Sequence, residues 1–107
     1  MVEQTNGDQY IMNGDEFEWD AAKAQSNLAK HRVTFEAARR VFDDAFAFDS
    51  LDIGSDGTEV RYVITGMVNG VLLTGVYTER GQRIRIISAR KATRHEQTDY
   101  YRNQTAE

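Results

Sequence analysis

The sequence predicts an α+β domain: two helices that pack on an antiparallel sheet, and a third helix after it. Three observations point there. Apolar residues recur at spacings of three and four behind the cap residues Asp20 and Thr34; Asn69-Gly70 sits between two β-rich runs; and Thr93-Arg94-His95-Glu96 has the spacing of a capping box.

In chain order, residues 1–14 are polar and lack a period, which predicts a flexible leader ahead of one domain over 15–107. Glu16-Phe17-Glu18-Trp19 alternates charged and apolar side chains, the mark of a short half-buried strand. Asp20 is an N-cap for a helix reaching His31, with Ala24 and Leu28 on one stripe. Thr34 caps a second, short helix to about Asp43, in which Phe35, Ala38, Val41 and Phe42 form the apolar face. The acidic stretch from Phe46 to Gly57 reads as a weak strand and a loop. Glu59 to Val68 and Val71 to Thr78 are the arms of a hairpin, Arg83 to Ala89 is a third strand after a turn at Arg80-Gly81, and the terminal helix carries Tyr100 and Tyr101.

Composition narrows the functions. A chain of 107 residues suits one core. It has no cysteine, which removes disulfides, thiol nucleophiles and thiolate metal sites, and its two histidines make a catalytic metal centre an unattractive reading. No apolar run approaches the roughly 20 residues needed to cross a bilayer. The cytoplasm is the expected location, and no cofactor is expected.

The net charge of −4 conceals a segregation of signs. Residues 1–60 hold five basic and thirteen acidic side chains, and residues 61–107 hold eight basic and four acidic. Arg80, Arg83, Arg85, Arg90, Lys91 and Arg94 form a run without an acid, whereas Asp43, Asp44, Asp49, Asp52, Asp56 and Glu59 form a run without a base. Two readings follow: the runs neutralise each other on a solvated surface, or the basic one holds a polyanion.

The Asn69-Gly70 turn sets Val68 against Val71 and Arg61 against Thr78; closing the next turn with Thr78 against Arg83 lines up a row across three strands. Two-residue parity then gives one face to Tyr62, Ile64, Val68, Val71, Leu73, Ile84 and Ile86, and the other to Arg61, Thr78, Arg83 and Arg85. Arg90 has the parity of the apolar face unless a bulge intervenes near Ser88.

Phe17-Glu18-Trp19-Asp20, Lys23, Asn27-Leu28, Lys30-His31, Phe35-Glu36, Val41-Phe42-Asp43, Arg61, Gly66 and the run from Arg83 to Thr93 with Glu96 and Tyr100 together resemble the BrnT toxins, over residues 15 to about 102. The resemblance implies a RelE-like ribonuclease fold. It also implies a BrnA-like ribbon-helix-helix antitoxin as partner, and operator DNA bound only through the toxin–antitoxin complex. One departure is Arg32, where the family commonly has a glycine as a left-handed helix cap.

Metal-free RNA cleavage requires a deprotonated 2′-hydroxyl, stabilisation of the phosphorane and protonation of the 5′-oxygen; guanidinium groups supply the second. Histidine is the side chain suited by type to acid–base chemistry near neutrality, and of the two present, His31 and His95, His31 matches the resemblance. The candidate catalytic set is therefore Arg61, Arg83, Arg85 and Arg90 around the phosphate, with Lys30 and His31 for binding or proton transfer. Arg80, Lys91 and Arg94 are candidate RNA contacts. The structural alternatives stand beside these: His31 as a C-terminal cap, Arg90 as the partner of Asp20 or Glu96, Glu96 as a capping-box acid, His95 as a solvated helix residue, and Trp19, Phe35, Val41 and Phe42 as core. The rival functions are a nucleic-acid-binding module that does not cut and a protein-interaction module.

Overall fold

The computed structural model describes residues 10–14, 16–53 and 59–105. Its elements in chain order are β1 (Tyr10–Asn13), β2 (Phe17–Asp20), α1 (Ala21–His31), α2 (Phe35–Val41), β3 (Phe48–Ile53), β4 (Val60–Val68), β5 (Val71–Arg80), β6 (Arg83–Lys91) and α3 (Arg94–Thr105). The six strands form one sheet in the order β1-β2-β6-β5-β4-β3.

Local chemistry explains the element ends. Asp20 caps α1 by accepting the Ala22 N–H at 3.1 Å, and Thr34 caps α2 by accepting that of Ala37 at 3.0 Å. The capping box of α3 closes both ways: Thr93 Oγ1 accepts the Glu96 N–H at 3.2 Å, and the Glu96 carboxylate accepts the Thr93 N–H at 2.9 Å. Arg32 ends α1 in the left-handed conformation, φ 61° and ψ 27°, with its N–H donating to Leu28 O. Arginine thus adopts the conformation glycine would take without steric cost, because the chain must still turn towards α2.

Three expectations are corrected. The sheet is mixed, since β2 runs parallel to β6, pairing Phe17 with Ile84 and Trp19 with Ile86; no short-range turn encodes a pairing between strands so far apart in the chain. Tyr10–Asn13, expected in the leader, form β1 antiparallel to β2, while residues 1–9 lie outside the described residues. The β5–β6 turn is tighter than expected: Arg80 pairs with Arg83 around Gly81 (φ +61°), so Thr78 faces Arg85 and not Arg83. A shift of two preserves parity, so the division of faces survives.

The helices α1 and α2 contribute Ala24, Phe35, Ala38 and Val41 to the main core on one sheet face, with Phe17, Trp19, Ile64, Leu73, Tyr77 and Ile86. Phe42 stands edge-on to Phe17 and Tyr77, at 5.1 and 5.0 Å between ring centres. Gly66 lies under α2, where a Cβ would meet Val41 Cγ1 at 2.9 Å and Ala47 Cβ at 3.0 Å. A smaller cluster of Leu72, Ala92 and Tyr100, with Phe48 and Met67 against it, holds α3 on the opposite face. Asp44 anchors that helix by accepting from the Tyr100 hydroxyl at 2.6 Å and the Met67 N–H at 2.7 Å. The Tyr100 hydroxyl is pushed up to about 12 by burial and by this carboxylate.

Candidate nucleic-acid interface

The strand that organises the cationic side chains is β6. Its pairing with β5 changes register between Val76 and Tyr77, because Val76 faces Ser88 and Tyr77 faces Ile86, leaving Ile87 as the extra residue of a bulge. The bulge reverses parity beyond it. Arg90 consequently faces Thr74 and shares a sheet face with Arg85, which faces Thr78. Lys91, opposite Leu73, is turned towards the face that α1 and α2 cover.

Two groups result, at the two ends of β6. In the first, Glu18 of β2 is buried at 5% exposure and takes two arginines, Arg83 Nε at 3.2 Å and Arg85 Nε at 2.7 Å. Arg83 also donates to the carbonyls of Gly14 and Phe17, at 2.9 and 3.0 Å. The Arg85 guanidinium stacks 4.1 Å over the Tyr10 ring and donates to its hydroxyl at 3.2 Å. Glu59 bonds Arg80 at 3.0 Å and approaches Arg61 at 3.9 Å. Beside them opens a concavity of about 110 Å³ whose charged lining is Asp20, Lys23, Glu59, Arg61, Arg80 and Arg85. Four cations against two carboxylates leave two positive charges there. The side chains of Arg61 and Arg80 are 41% and 51% exposed, enough to swing onto an anion.

The second group is about 15 Å away, five residues along β6. Both Nη atoms of Arg90 bond the Glu96 carboxylate, at 2.8 and 2.9 Å, and the Thr74 hydroxyl donates to the same carboxylate at 2.9 Å. Thr65 and Thr74 share a buried hydrogen bond at 2.8 Å beneath it. The Arg90 hydrogen bonds, with help from the Thr93 N–H and the Thr74 hydroxyl, hold the Glu96 carboxyl down to about 2 against the opposing effect of burial. Glu96 is therefore more than a capping-box acid, and of the two partners considered for Arg90 it is the one engaged.

Lys30 and His31 occupy the last turn of α1, about 10 to 12 Å along its axis from Lys23 at the concavity. One turn earlier, Asn27 is buried; its side chain donates to Val33 O and Ala89 O and accepts from Ala89 N, at 3.1, 2.8 and 3.1 Å. That clamp places the helix end beside the Arg90 end of β6, not the Arg85 end. Among the described residues no hydrogen bond or ion pair joins Lys30 or His31 to Arg61, Arg85 or Arg90, whose partners are Glu59, Glu18 and Glu96. Arg94 starts α3 exposed, and His95, also exposed, bonds Asp99 at 3.3 Å. The single arginine pocket expected from the sequence is thus two groups on one face, each containing carboxylates. Glu59 lies in the acidic run that could neutralise the basic one, and Lys23 enters only as part of the family resemblance; Glu18 and Tyr10 were missed as site residues, and of these only Glu18 left a trace, through its parity in the Glu16 to Trp19 alternation. Among the described residues no cluster of three or more metal-ligating side chains occurs, and no helix is long and apolar enough to cross a membrane.

The chain is a small α+β domain with arginine–carboxylate groups at both ends of one strand of its sheet. Residues 19–96 match the family model described as the ribonuclease toxin, BrnT, of a type II toxin-antitoxin system, and the chain belongs to that family. No curated protein matches it.

Proposed function

We propose that this chain is an endoribonuclease that needs no metal, cuts RNA in the cytoplasm and so inhibits translation, until a BrnA-like ribbon-helix-helix antitoxin neutralises it. Operator DNA is then engaged only through the toxin–antitoxin complex, and the fold is of the RelE-like kind. The observation that carries the reading is the surplus of cations lining the concavity, with Arg90 about 15 Å further along the same face of β6, a reach suited to more than one phosphate of a single-stranded backbone. Membership in a ribonuclease family supplies the reaction class.

In this reading Arg61, Arg80 and Arg85 bind backbone phosphates at the concavity, with Arg83 held behind them by Glu18. Arg90 and Arg94 bind at the other end, and Lys91, Lys30 and His31, which lie towards the helix-covered side of the strand there, are proposed for binding or proton transfer from that side. Preorganised guanidinium groups stabilise the charge that develops on the phosphorane; carboxylate partners fix their direction beforehand. The test is incubation of the purified chain with end-labelled RNA in EDTA, at several salt concentrations. Discrete products whose yield falls steeply with salt are expected. Intact RNA under all conditions, or cleavage that EDTA abolishes, overturns the proposal.

A second reading is favoured by one observation: Arg61, Arg83, Arg85 and Arg90 each already have a carboxylate partner. A non-catalytic nucleic-acid-binding or protein-interaction module would use such pairs as surface structure. It gives salt-dependent retention of RNA without products, or no retention at all, and His31→Ala then changes nothing.

A further inference from the structure

The acidic run from Asp43 to Glu59, which passes through β3, takes little part in neutralising the arginines: only Glu59 among its described members bonds any of Arg61, Arg80, Arg85 and Arg90. Of its other described members, Asp43 pairs with Arg39, Asp44 is bonded to Tyr100 and Met67, and Asp49 and Asp52 lie on a sheet edge. β3 is terminal in the strand order, pairs with β4 through six residues without a register shift, and has no strand on its outer side among the described residues. Natural sheets blunt such edges with proline, bulges, charged side chains or a covering element, and of these, among the described residues, β3 carries charge alone, as Asp49 and Asp52. Here there is no proline, the ladder is regular, and Leu51 and the preceding Phe46 are 57% and 56% exposed. Asp49 and Asp52 are exposed on opposite faces of the strand; Asp49 accepts the Tyr77 hydroxyl at 2.8 Å through one oxygen, and Asp52 has no ion-pair partner among the described residues.

We infer that the outer edge of β3 is a docking site for an extended, apolar segment bearing lysine or arginine, contributed by a different protein chain and added as a seventh strand. Main-chain hydrogen bonds would supply affinity, and alternate side chains the selectivity. Cations of the incoming strand sit beside Asp49 and Asp52, and its apolar residues beside Leu51. Charge decides between occupants. A nucleic acid is repelled by the two aspartates. A second copy is disfavoured because the antiparallel register that pairs all six residues of β3 with themselves sets Asp49 opposite Asp52 twice. The opposite edge, β1, has four uncharged residues and offers no charge to select a partner. A type II family implies a protein antitoxin, which is the class of chain that could bring such a segment, and the docking needs no part of the RNA chemistry.

The test titrates the intact isotope-labelled chain with an acetylated hexapeptide Val-Lys-Val-Val-Lys-Val, whose lysines fall opposite Asp49 and Asp52 and a valine opposite Leu51 when it pairs along all of β3, followed by amide NMR. A control peptide has glutamate in place of lysine, and RNA cleavage is measured on the same samples. Saturable shifts confined to β3 and its neighbour β4 are expected, with little response to the control. Leu51→Lys and Asp52→Asn should each weaken binding by about fivefold, the effect of losing one good cross-strand pair. Cleavage should be unchanged in both variants. No saturable binding, equal binding of the glutamate peptide, shifts mapping to β1 or the arginine face, or self-association through β3 each overturn the inference. Absence of cleavage in every sample, wild type included, with peptide binding intact counts against the proposed function alone, and loss of cleavage confined to the β3 variants overturns the separation of the two sites.

Discussion

Replacing Glu96 with glutamine should remove a pH-dependent share of the stability that the wild-type chain gains from one carboxylate. The side chain receives both Nη atoms of Arg90, the Thr74 hydroxyl and the Thr93 N–H. Glutamine keeps the volume and still completes a capping box, so the loss isolates the charge. The carboxyl is held at about 2 in the fold against an ordinary 4.5. At 1.36 kcal/mol per pH unit that gap corresponds to about 3 kcal/mol, an order-of-magnitude figure. Because the folded value is depressed, this stabilisation is complete above pH 4.5 and is lost as the pH falls from there towards 2. Urea unfolding, read from the fluorescence of buried Trp19, should separate wild type from Glu96→Gln by about 2 to 3 kcal/mol at pH 7. The two should converge as the pH approaches 2. Equal stability at pH 7, or a gap that stays constant down to low pH, would refute the assignment of Glu96 as the charged partner of Arg90.

Three further substitutions test the frame. Arg32→Gly should raise stability by about 0.5 to 1 kcal/mol, because φ of 61° strains any L residue, as a shift in urea midpoint would show. Gly66→Ala should cost about 1 to 3 kcal/mol, since its Cβ would strike Val41 and Ala47 and the nearby Val41 carbonyl at 3.2 Å limits relaxation. Asn27→Ala should cost about 2 to 4 kcal/mol by leaving the Ala89 N–H and the carbonyls of Val33 and Ala89 unpaired, and hydrogen exchange at Ala89 should accelerate.

What could be read from the sequence was local. Asp20, Thr34 and the Thr93–Glu96 pair announce their caps through side-chain chemistry that acts within three residues, and Asn69-Gly70 fixes the β4–β5 register. Strand parity placed Arg61, Thr78, Arg83 and Arg85 together on one face. The parity conflict at Arg90 already hinted at the bulge found at Ile87. What escaped was non-local. The parallel pairing of β2 with β6 brings Glu18 to Arg83 and Arg85 across 67 residues for the latter, and no motif in either segment names the other. Tyr10 was hidden because four residues flanked by polar sequence show no usable period, although they reach the Arg85 guanidinium. The division of the site into two ends followed from strand length, once Arg85 and Arg90 shared a face.

The central claim is that the guanidinium groups along β6 act on RNA. Single-turnover cleavage of a labelled RNA by wild type and by Arg85→Ala tests it most directly, with circular dichroism to verify the fold, since Glu18 retains Arg83 in the variant. The account predicts a rate lower by about 100-fold or more, the usual effect of deleting one preorganised donor to a developing oxyanion. A folded Arg85→Ala that cleaves at the wild-type rate would contradict it.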